Sequence, residues 1–187
     1  MLDDYASPKR GILLIAGAQL IDPNFKRSVV LLCEHNEEGT FGLILNKPLD
    51  INISEAIEDI EDWDIALHAG GPVQPNTVHV LHRLGDEIED AIEVVDGVYW
   101  GGNYETIRSM INTRHASPDD FRFFLGYSGW GPGQLQQEID QDSWYQAKAT
   151  ANVVFNPVYD RMWARALRAK GGDYAIIANT PEDPRMN

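Results

Sequence analysis

The stretch RSVVLLCEHNEEGTFGLILNKP, at residues 27–48, decides the fold of this chain. It contains two apolar runs, at 29–33 and 41–45, which are joined by a polar segment at 34–40 that includes a glycine. Two runs rich in Val, Ile, Leu and Phe around such a linker predict a β-hairpin with a bulged or longer turn. Because both runs are almost continuously apolar, we expect each strand to be covered on both faces and the hairpin to lie centrally in its sheet. The Asn-Lys-Pro sequence that closes the stretch ends the second strand, since proline cannot continue a β-ladder.

The composition is that of one globular domain. The chain has 187 residues, of which 43% are hydrophobic and 24% charged, and this length is enough to bury a sizeable core. We expect a flexible tail at 1–10, a single domain at 11–178 and a polar tail at 179–187. The sequence has no apolar run of membrane-spanning length, no signal-peptide core near its start and a single cysteine, which cannot form an internal disulfide. These features predict a cytoplasmic protein that does not associate with a membrane.

The charge balance bears on the choice of partner. The chain has 15 Lys and Arg against 29 Asp and Glu, which gives a formal net charge of −14. A phosphate backbone repels such a chain unless its cations cluster, and this sequence has no long basic run. Direct binding to nucleic acid is therefore disfavoured, although a DNA-binding transcriptional regulator stays among the alternatives.

Capping and turn residues divide the rest of the chain into short elements. Asn52 with Glu55 resembles a capping box, Asn103 is a second helix cap, and Asp96-Gly97 is the clearest hairpin turn. The patterns predict strands at 12–16, 65–69, 78–84, 91–95, 98–100, 121–127, 153–155 and 173–178, and helices at 53–60, 104–112, 134–142 and 158–170. The predicted fold class is α+β, with a mixed, largely antiparallel sheet around the central hairpin and helices on its flanks.

Cys33 and His35 suggest one kind of chemistry. They are two residues apart in a predicted strand, so we expect them to share a face, and a Cys–His pair can generate a thiolate nucleophile. A hydrolase that uses Cys33 and His35 is therefore an alternative function. The opposing interpretation is that Cys33 is a buried apolar residue and that His35 caps a loop.

The sequence predicts no metal and no cofactor. His79 and His82 are three apart, but in a strand that spacing puts them on opposite sides, and no further ligand cluster accompanies them. Neither of the glycine motifs that bind nucleotide phosphates is present.

The densest candidate site is the segment GYSGWGPGQLQQEI at 126–139, where aromatic residues precede a helix that begins near a glycine-rich turn. Aromatic and amide groups beside a helix start are typical of a small-molecule or peptide pocket. The alternative is that Trp130 packs as a lid on the core and Gln134 satisfies backbone groups. Polar and glycine residues at other strand ends complete the predicted ligand site, whose members are His35, Asn36, Asn46, Gly70, Gly71, His82, Tyr127, Trp130, Gln134 and Glu138.

Several segments together resemble the YqgE/AlgH family of bacterial proteins, a family of unknown function. The matching segments are DPNFKRSVV at 22–30, EHN at 34–36, G-x-x-x-N-K-P at 42–48, GGPV at 70–73, LH at 81–82, GYSGWGPGQLQQEI at 126–139, SW at 143–144 and NVVF at 152–155. The family tends to carry a proline after its first strand, whereas this chain has Gly-Ala-Gln at 17–19.

The resemblance implies a compact α+β fold of the bacterial cytoplasm, and the AlgH name implies a regulatory role, with no catalytic residues or cofactor to carry over. We therefore expect a non-enzymatic regulatory or interaction protein, with a cleft for a protein or small-molecule partner.

Overall fold

The computed structural model describes residues 7–60, 63 and 65–182. Ten strands and six α-helices lie within this part of the chain. The strands are β1 Ile12–Ala16, β2 Val29–Asn36, β3 Gly39–Ile44, β4 Pro48–Asn52, β5 Ala66–Ala69, β6 Val73–His82, β7 Ile92–Val95, β8 Val98–Trp100, β9 Phe121–Trp130 and β10 Trp144–Lys148. The helices are α1 Ile53–Ala56, α2 Tyr104–Asn112, α3 Gln134–Asp140, α4 Ala151–Val154, α5 Met162–Lys170 and α6 Asp173–Ile177, and a 3-10 turn at Pro118–Asp120 precedes β9.

All ten strands belong to one sheet, whose main path runs β10-β1-β2-β3-β9-β6-β8-β7. β4 and β5 lie off this path, and β5 pairs with both β4 and β9. Neighbours are antiparallel except β5 and β9, which run parallel. The predicted class, α+β with a largely antiparallel mixed sheet and a hairpin near its middle, is confirmed.

The central hairpin is formed by β2 and β3. Residues 29–33 are fully buried, and residues 43–45 are at most 1% exposed, which confirms that both strands are covered on both faces. The predicted 34–40 loop is shorter than expected, because Asn36 pairs with Gly39 and leaves a two-residue turn. The bulge lies inside β2, where the register shifts between Leu32 and Glu34.

Local capping signals are confirmed where the sequence predicted them. The Asn52 side chain accepts a hydrogen bond at the start of α1, and the Glu55 side chain accepts one from the Asn52 backbone. Asn103 caps α2 through the Thr106 N–H, and residues 96–97 connect β7 to β8. α1 is shorter than the predicted helix and ends at Ala56.

The C-terminal third corrects several sequence predictions. The predicted strand at 153–155 is wrong, because the Thr150 hydroxyl caps the Val153 N–H and begins α4. The predicted strand at 173–178 is also wrong, since this segment forms α6, where Tyr174 packs edge-on against Tyr145 of β10. β10 itself was not predicted, and it forms because the edge of β1 offers it a full antiparallel register. None of the described helices is long and apolar enough to cross a bilayer.

Candidate functional site

A shallow groove lies beside the turn of the central hairpin. It has a volume of about 420 Å³ and is walled by β2, β3 and β9, with one residue from β6. The described residues that line the groove are Glu34, Asn36, Glu38, Gly39, Thr40, Phe41, Val73, Tyr127, Gly129 and Trp130. Three of the predicted site residues, Asn36, Tyr127 and Trp130, therefore come together here.

A row of aromatic rings extends from this groove across four neighbouring strands, and we call Phe41, His79, Trp100 and Tyr127 the aromatic row. The Phe41 ring stacks on Tyr127 at 4.6 Å and on Trp100 at 4.7 Å between centroids, and it meets His79 edge-on at 5.1 Å. All four side chains are half-buried, so one side of the row faces the core and the other faces solvent. Phe41 lies between Tyr127 and Trp100, so both faces of its ring are covered by neighbouring rings.

Trp130, Gln134 and Glu138 form a structural network rather than a set of free ligand groups. One Glu138 carboxylate oxygen accepts hydrogen bonds from the indole N–H groups of both Trp130 and Trp144, each at 2.9 Å. Gln134 donates to the other Glu138 oxygen at 2.8 Å and accepts from the Gly131 N–H at 2.9 Å. Trp130 is only 5% exposed. The interpretation of Trp130 as a packed lid, with Gln134 satisfying the backbone, fits this geometry.

Gly70, Gly71 and His82 also have structural partners. The Gly70 carbonyl accepts from the Ile44 N–H and from the buried Ser128 hydroxyl. A Cβ at Gly71 would meet the β9 backbone at 2.2 Å, so glycine is what allows the chain to pass β9 here. His82 is fully buried, and its Nε2 lies 2.9 Å from the Gly101 carbonyl oxygen.

Asn46 lies at the opposite end of the hairpin from the groove. Its side-chain oxygen accepts from the Val29 N–H at 2.8 Å, and its amide donates to the Arg27 carbonyl at 2.9 Å. Thr40 pairs with Trp130 at the groove end, six residues before Asn46, a separation of roughly 20 Å along a strand. The ten predicted site residues therefore do not converge on one cleft.

The bulge in β2 separates Cys33 from His35. Cys33 is fully buried, and its Sγ lies 3.8 Å from the Leu31 carbonyl oxygen. Burial raises the pKa of the Cys33 thiol far above its ordinary value, which disfavours a thiolate. His35 is exposed, and its Nδ1 lies 2.6 Å from the Thr40 hydroxyl. The shared face that a hydrolase would need is absent, because the bulge breaks the two-residue alternation.

A second and deeper cavity, of about 310 Å³, lies where β5, β9 and the segment after α4 meet. We call it the Arg122 cavity, and it shares no residue with the groove. The described residues that line it are Ile65, Ala66, His68, Arg83, Pro118, Asp119, Phe121, Arg122, Phe155, Pro157 and Tyr159.

Two buried nitrogen bases belong to this cavity. Arg122 is 4% exposed, donates to the carbonyl oxygens of Leu45 and Val154, and lies 4.6 Å from the Tyr159 ring centroid. Burial lowers the pKa of Arg122 to about 10, so the guanidinium stays charged at neutral pH. Burial and the Arg122 charge lower the pKa of His68 to about 3, although backbone groups of Phe123 and Ala66 oppose part of the shift. Neither His68 nitrogen has a hydrogen-bond partner of ordinary geometry.

Within 7–60, 63 and 65–182, no group of three or more His, Cys, Asp or Glu side chains is arranged to hold a metal ion. His79 and His82 in particular have separate surroundings. His79 packs in the aromatic row, whereas His82 stacks on Tyr99 at 5.9 Å.

Comparison with known proteins connects this chain to a family. The family model described as AlgH-like matches residues 13–175. The chain belongs to the AlgH-like family. This result confirms the resemblance seen in the sequence motifs.

Three similar proteins match 93% or more of this chain. The UPF0301 protein of Chlorobium limicola is 51% identical over 187 residues, which is 100% of both chains. The solution structure of the AlgH protein from Pseudomonas aeruginosa is 26% identical with a TM-score of 0.73, covering 95% of this chain and 97% of that one. A crystal structure of a Corynebacterium diphtheriae protein is 25% identical with a TM-score of 0.76, covering 93% of each chain.

Sequence reasoning missed the Arg122 cavity of this AlgH-like chain. Four of the side chains that line this cavity carry an imidazole, guanidinium or phenol group. They are far apart in the sequence, at His68, Arg83, Arg122 and Tyr159. One signal was available, because Arg122 interrupts the apolar run FRFF at 121–124, which predicts a buried strand. A charged residue in such a strand is rare unless it has a specific role.

The buried His68 makes a testable contribution to the pH dependence of stability. An unfolded histidine takes up a proton below about pH 6.5, whereas folded His68 resists protonation down to about pH 3. The unfolded state therefore binds more protons in this window, and the free energy of unfolding falls as pH decreases, by up to about 1.4 kcal/mol per pH unit. The measurement is urea unfolding of the wild type and of His68→Phe from pH 4 to pH 8.

His68→Phe should reduce this slope below pH 6.5 and leave it unchanged above pH 7, where His68 is neutral in both states. His79 and His82, whose pKa values burial also lowers, should keep part of the slope in the variant. Equal slopes in both proteins between pH 4 and pH 6 would contradict the assigned burial of His68.

Proposed function

We propose that this AlgH-like protein acts as a cytoplasmic interaction protein without catalysis of its own, and that its groove binds a basic segment of a partner protein. The observation that carries the proposal is that two members of the aromatic row, Phe41 and Tyr127, line one groove together with two acidic residues, Glu34 and Glu38. None of the described residues that line the groove is basic.

Aromatic faces and carboxylates together favour a cation. A Lys or Arg side chain gains cation–π attraction at the Tyr127 ring and ion pairing with Glu34 or Glu38 at the rim. Glu38 is exposed and Glu34 is half-buried, so both carboxylates are within reach of a docked chain. The net charge of −14 also attracts a basic partner at long range and raises the association rate.

The same features weigh against the alternative functions. The buried Cys33 thiol, with its raised pKa, disfavours a cysteine hydrolase. The negative charge disfavours direct contact with DNA. On α5, two basic side chains are already engaged within the chain, since Arg168 donates to Asn179 and Lys170 donates to the Gln146 carbonyl.

The test compares short fluorescent peptides rich in Arg, in Lys or in Glu, with affinity measured by fluorescence anisotropy. We expect the Arg and Lys peptides to bind, the Glu peptide not to bind, and the affinity to fall as salt rises. The double variant Glu34→Gln/Glu38→Gln should weaken binding about fivefold, as expected for two rim charges.

The matched control is Glu58→Gln/Glu89→Gln, which removes two exposed carboxylates elsewhere and the same total charge. It should leave most of the affinity intact. If both double variants lose affinity equally, the attraction comes from net charge alone and the groove is not the site.

A further inference from the structure

Arg122 is a buried cation without an anionic partner. It is 4% exposed, and none of the ion pairs among the described residues includes it. Its terminal nitrogens donate to the neutral carbonyl oxygens of Leu45 and Val154, and its Nε is buried with no hydrogen-bond partner. A buried charge that meets only neutral groups is unfavourable, because those groups replace water incompletely. A bound anion would supply the opposite charge that Arg122 lacks among the described residues.

The walls of the Arg122 cavity add to this preference. Arg83, which is exposed, lies at the mouth with its guanidinium carbon 4.2 Å from the Phe155 ring centroid. The carboxylate of Asp119 also lines the cavity, on the exposed 3-10 turn. His68 is neutral at pH 7 because of its lowered pKa, so the lining charges are two positive and one negative. The lining is therefore net positive in a chain of net charge −14, which favours an anionic ligand over a cationic one.

Aromatic rings define the rest of the lining. Phe121, Phe155 and Tyr159 supply flat apolar surface beside the guanidinium groups. The volume of about 310 Å³ is at the small end for ligand sites, which suits a compact molecule rather than a macromolecule. The guanidinium of Arg122 has N–H donors beyond those given to the two carbonyls, and such donors match the oxygens of a carboxylate or phosphate.

We propose that the Arg122 cavity binds a small organic anion, a carboxylate or phosphate monoester with a flat apolar body. The acid group contacts Arg122 and Arg83, and the body packs against Phe155 and Tyr159. This site shares no lining residue with the groove. The inference does not depend on the function proposed for the groove.

The test is an NMR titration of the full-length ¹⁵N-labelled protein with benzoate, phenyl phosphate, inorganic phosphate and the neutral isostere benzamide. We expect saturable shifts for the backbone amides of residues 65–68, 119–122, 155–156 and 158–159 with benzoate or phenyl phosphate, and none of comparable affinity with benzamide. The first two probes distinguish a carboxylate from a phosphate ligand, and inorganic phosphate shows whether the apolar body is needed. If no probe gives saturable shifts there, or if benzamide binds as tightly as benzoate, the proposal is wrong.

Variants separate the site from general charge effects. Arg83→Gln, at the exposed mouth, should weaken binding of the preferred probe about tenfold through loss of a charged hydrogen bond. Arg165→Gln, which removes an exposed charge from α5, should leave the affinity unchanged. Arg122→Met should abolish binding. If this variant does not fold, the difference in affinity between Arg83→Gln and Arg165→Gln tests the proposal. Equal affinities for those two variants would overturn the proposal.

Discussion

Gly71→Ala is expected to prevent folding or to lower the free energy of unfolding by more than about 4 kcal/mol. The new Cβ would lie 2.2 Å from the Tyr127 carbonyl group and 2.4 Å from the Ser128 backbone nitrogen. These are backbone atoms of β9, which is held by pairing with β3, β5 and β6 and cannot shift locally. Gly71 also has a φ of 154°, a conformation that side chains other than glycine rarely adopt. Soluble expression, circular dichroism and urea unfolding measure the effect.

Gly133→Ala is the matched control for this substitution. Gly133 also has a positive φ, 73°, but no atom lies within 4 Å of an added Cβ. This variant should fold, and its free energy of unfolding should fall by about 1 kcal/mol, because alanine is strained at a positive φ even where no atom clashes with its Cβ. If Gly71→Ala cost no more than Gly133→Ala, the close passage of residue 71 over β9 would be contradicted.

Glu138→Ala is expected to lower the free energy of unfolding by about 3 kcal/mol, because it leaves two indole N–H groups without an acceptor. Both indoles are buried, with Trp130 at 5% and Trp144 at 2% exposure, and their rings meet edge-on at 5.8 Å. Glu138 itself is half-buried, so water can replace the carboxylate only in part. Urea unfolding followed by tryptophan fluorescence measures the loss, and the native emission spectrum should change as the two indoles lose their shared partner.

Glu138→Gln tests whether the acceptor or the charge matters. Its amide oxygen still accepts from both indoles, but its amide nitrogen replaces the acceptor of the Gln134 amide, so we expect a loss of about 1 kcal/mol. Gln137→Ala, at an exposed position on the same helix, should stay within about 0.5 kcal/mol of the wild type. A loss as small for Glu138→Ala as for Gln137→Ala would show that the indole hydrogen bonds contribute nothing to stability.

The sequence predicted best where the signal is local. Asn52, Glu55 and Asn103 cap the helices that they were predicted to cap, because an N-cap bond joins residues two or three apart. Predictions from β-propensity were weaker in the last third of the chain. Residues 153–155 and 173–178 carry Val, Ile and Phe, yet most of these residues lie in α4 and α6, since a cap at Thr150 and packing against β10 outweigh the preference of single residues.

The structure brings some of the predicted site residues together and leaves others apart. Tyr127 and Trp130 were identified from a dense aromatic and glycine motif, and they do line the groove together with Asn36. His82, Gly70 and Gly71 lie in equally suggestive motifs, but their partners are backbone groups of distant strands. A motif shows that a residue type is unusual at its position, and it does not show which neighbour that residue meets.

By itself, the sequence determined the buried central hairpin, the α+β class, the caps and turns, and the membership suggested by its motifs. The burial of the central hairpin follows from local composition. Both of its strands are almost continuously apolar, so neither strand has a polar face that could be exposed to solvent. Only the tertiary structure decided that His68, Arg83, Arg122 and Tyr159 meet in one cavity, and that Asn46 lies far from Trp130. The physical reason is that strand order and register, which put β9 beside β3, β5 and β6, depend on contacts between residues far apart in the chain.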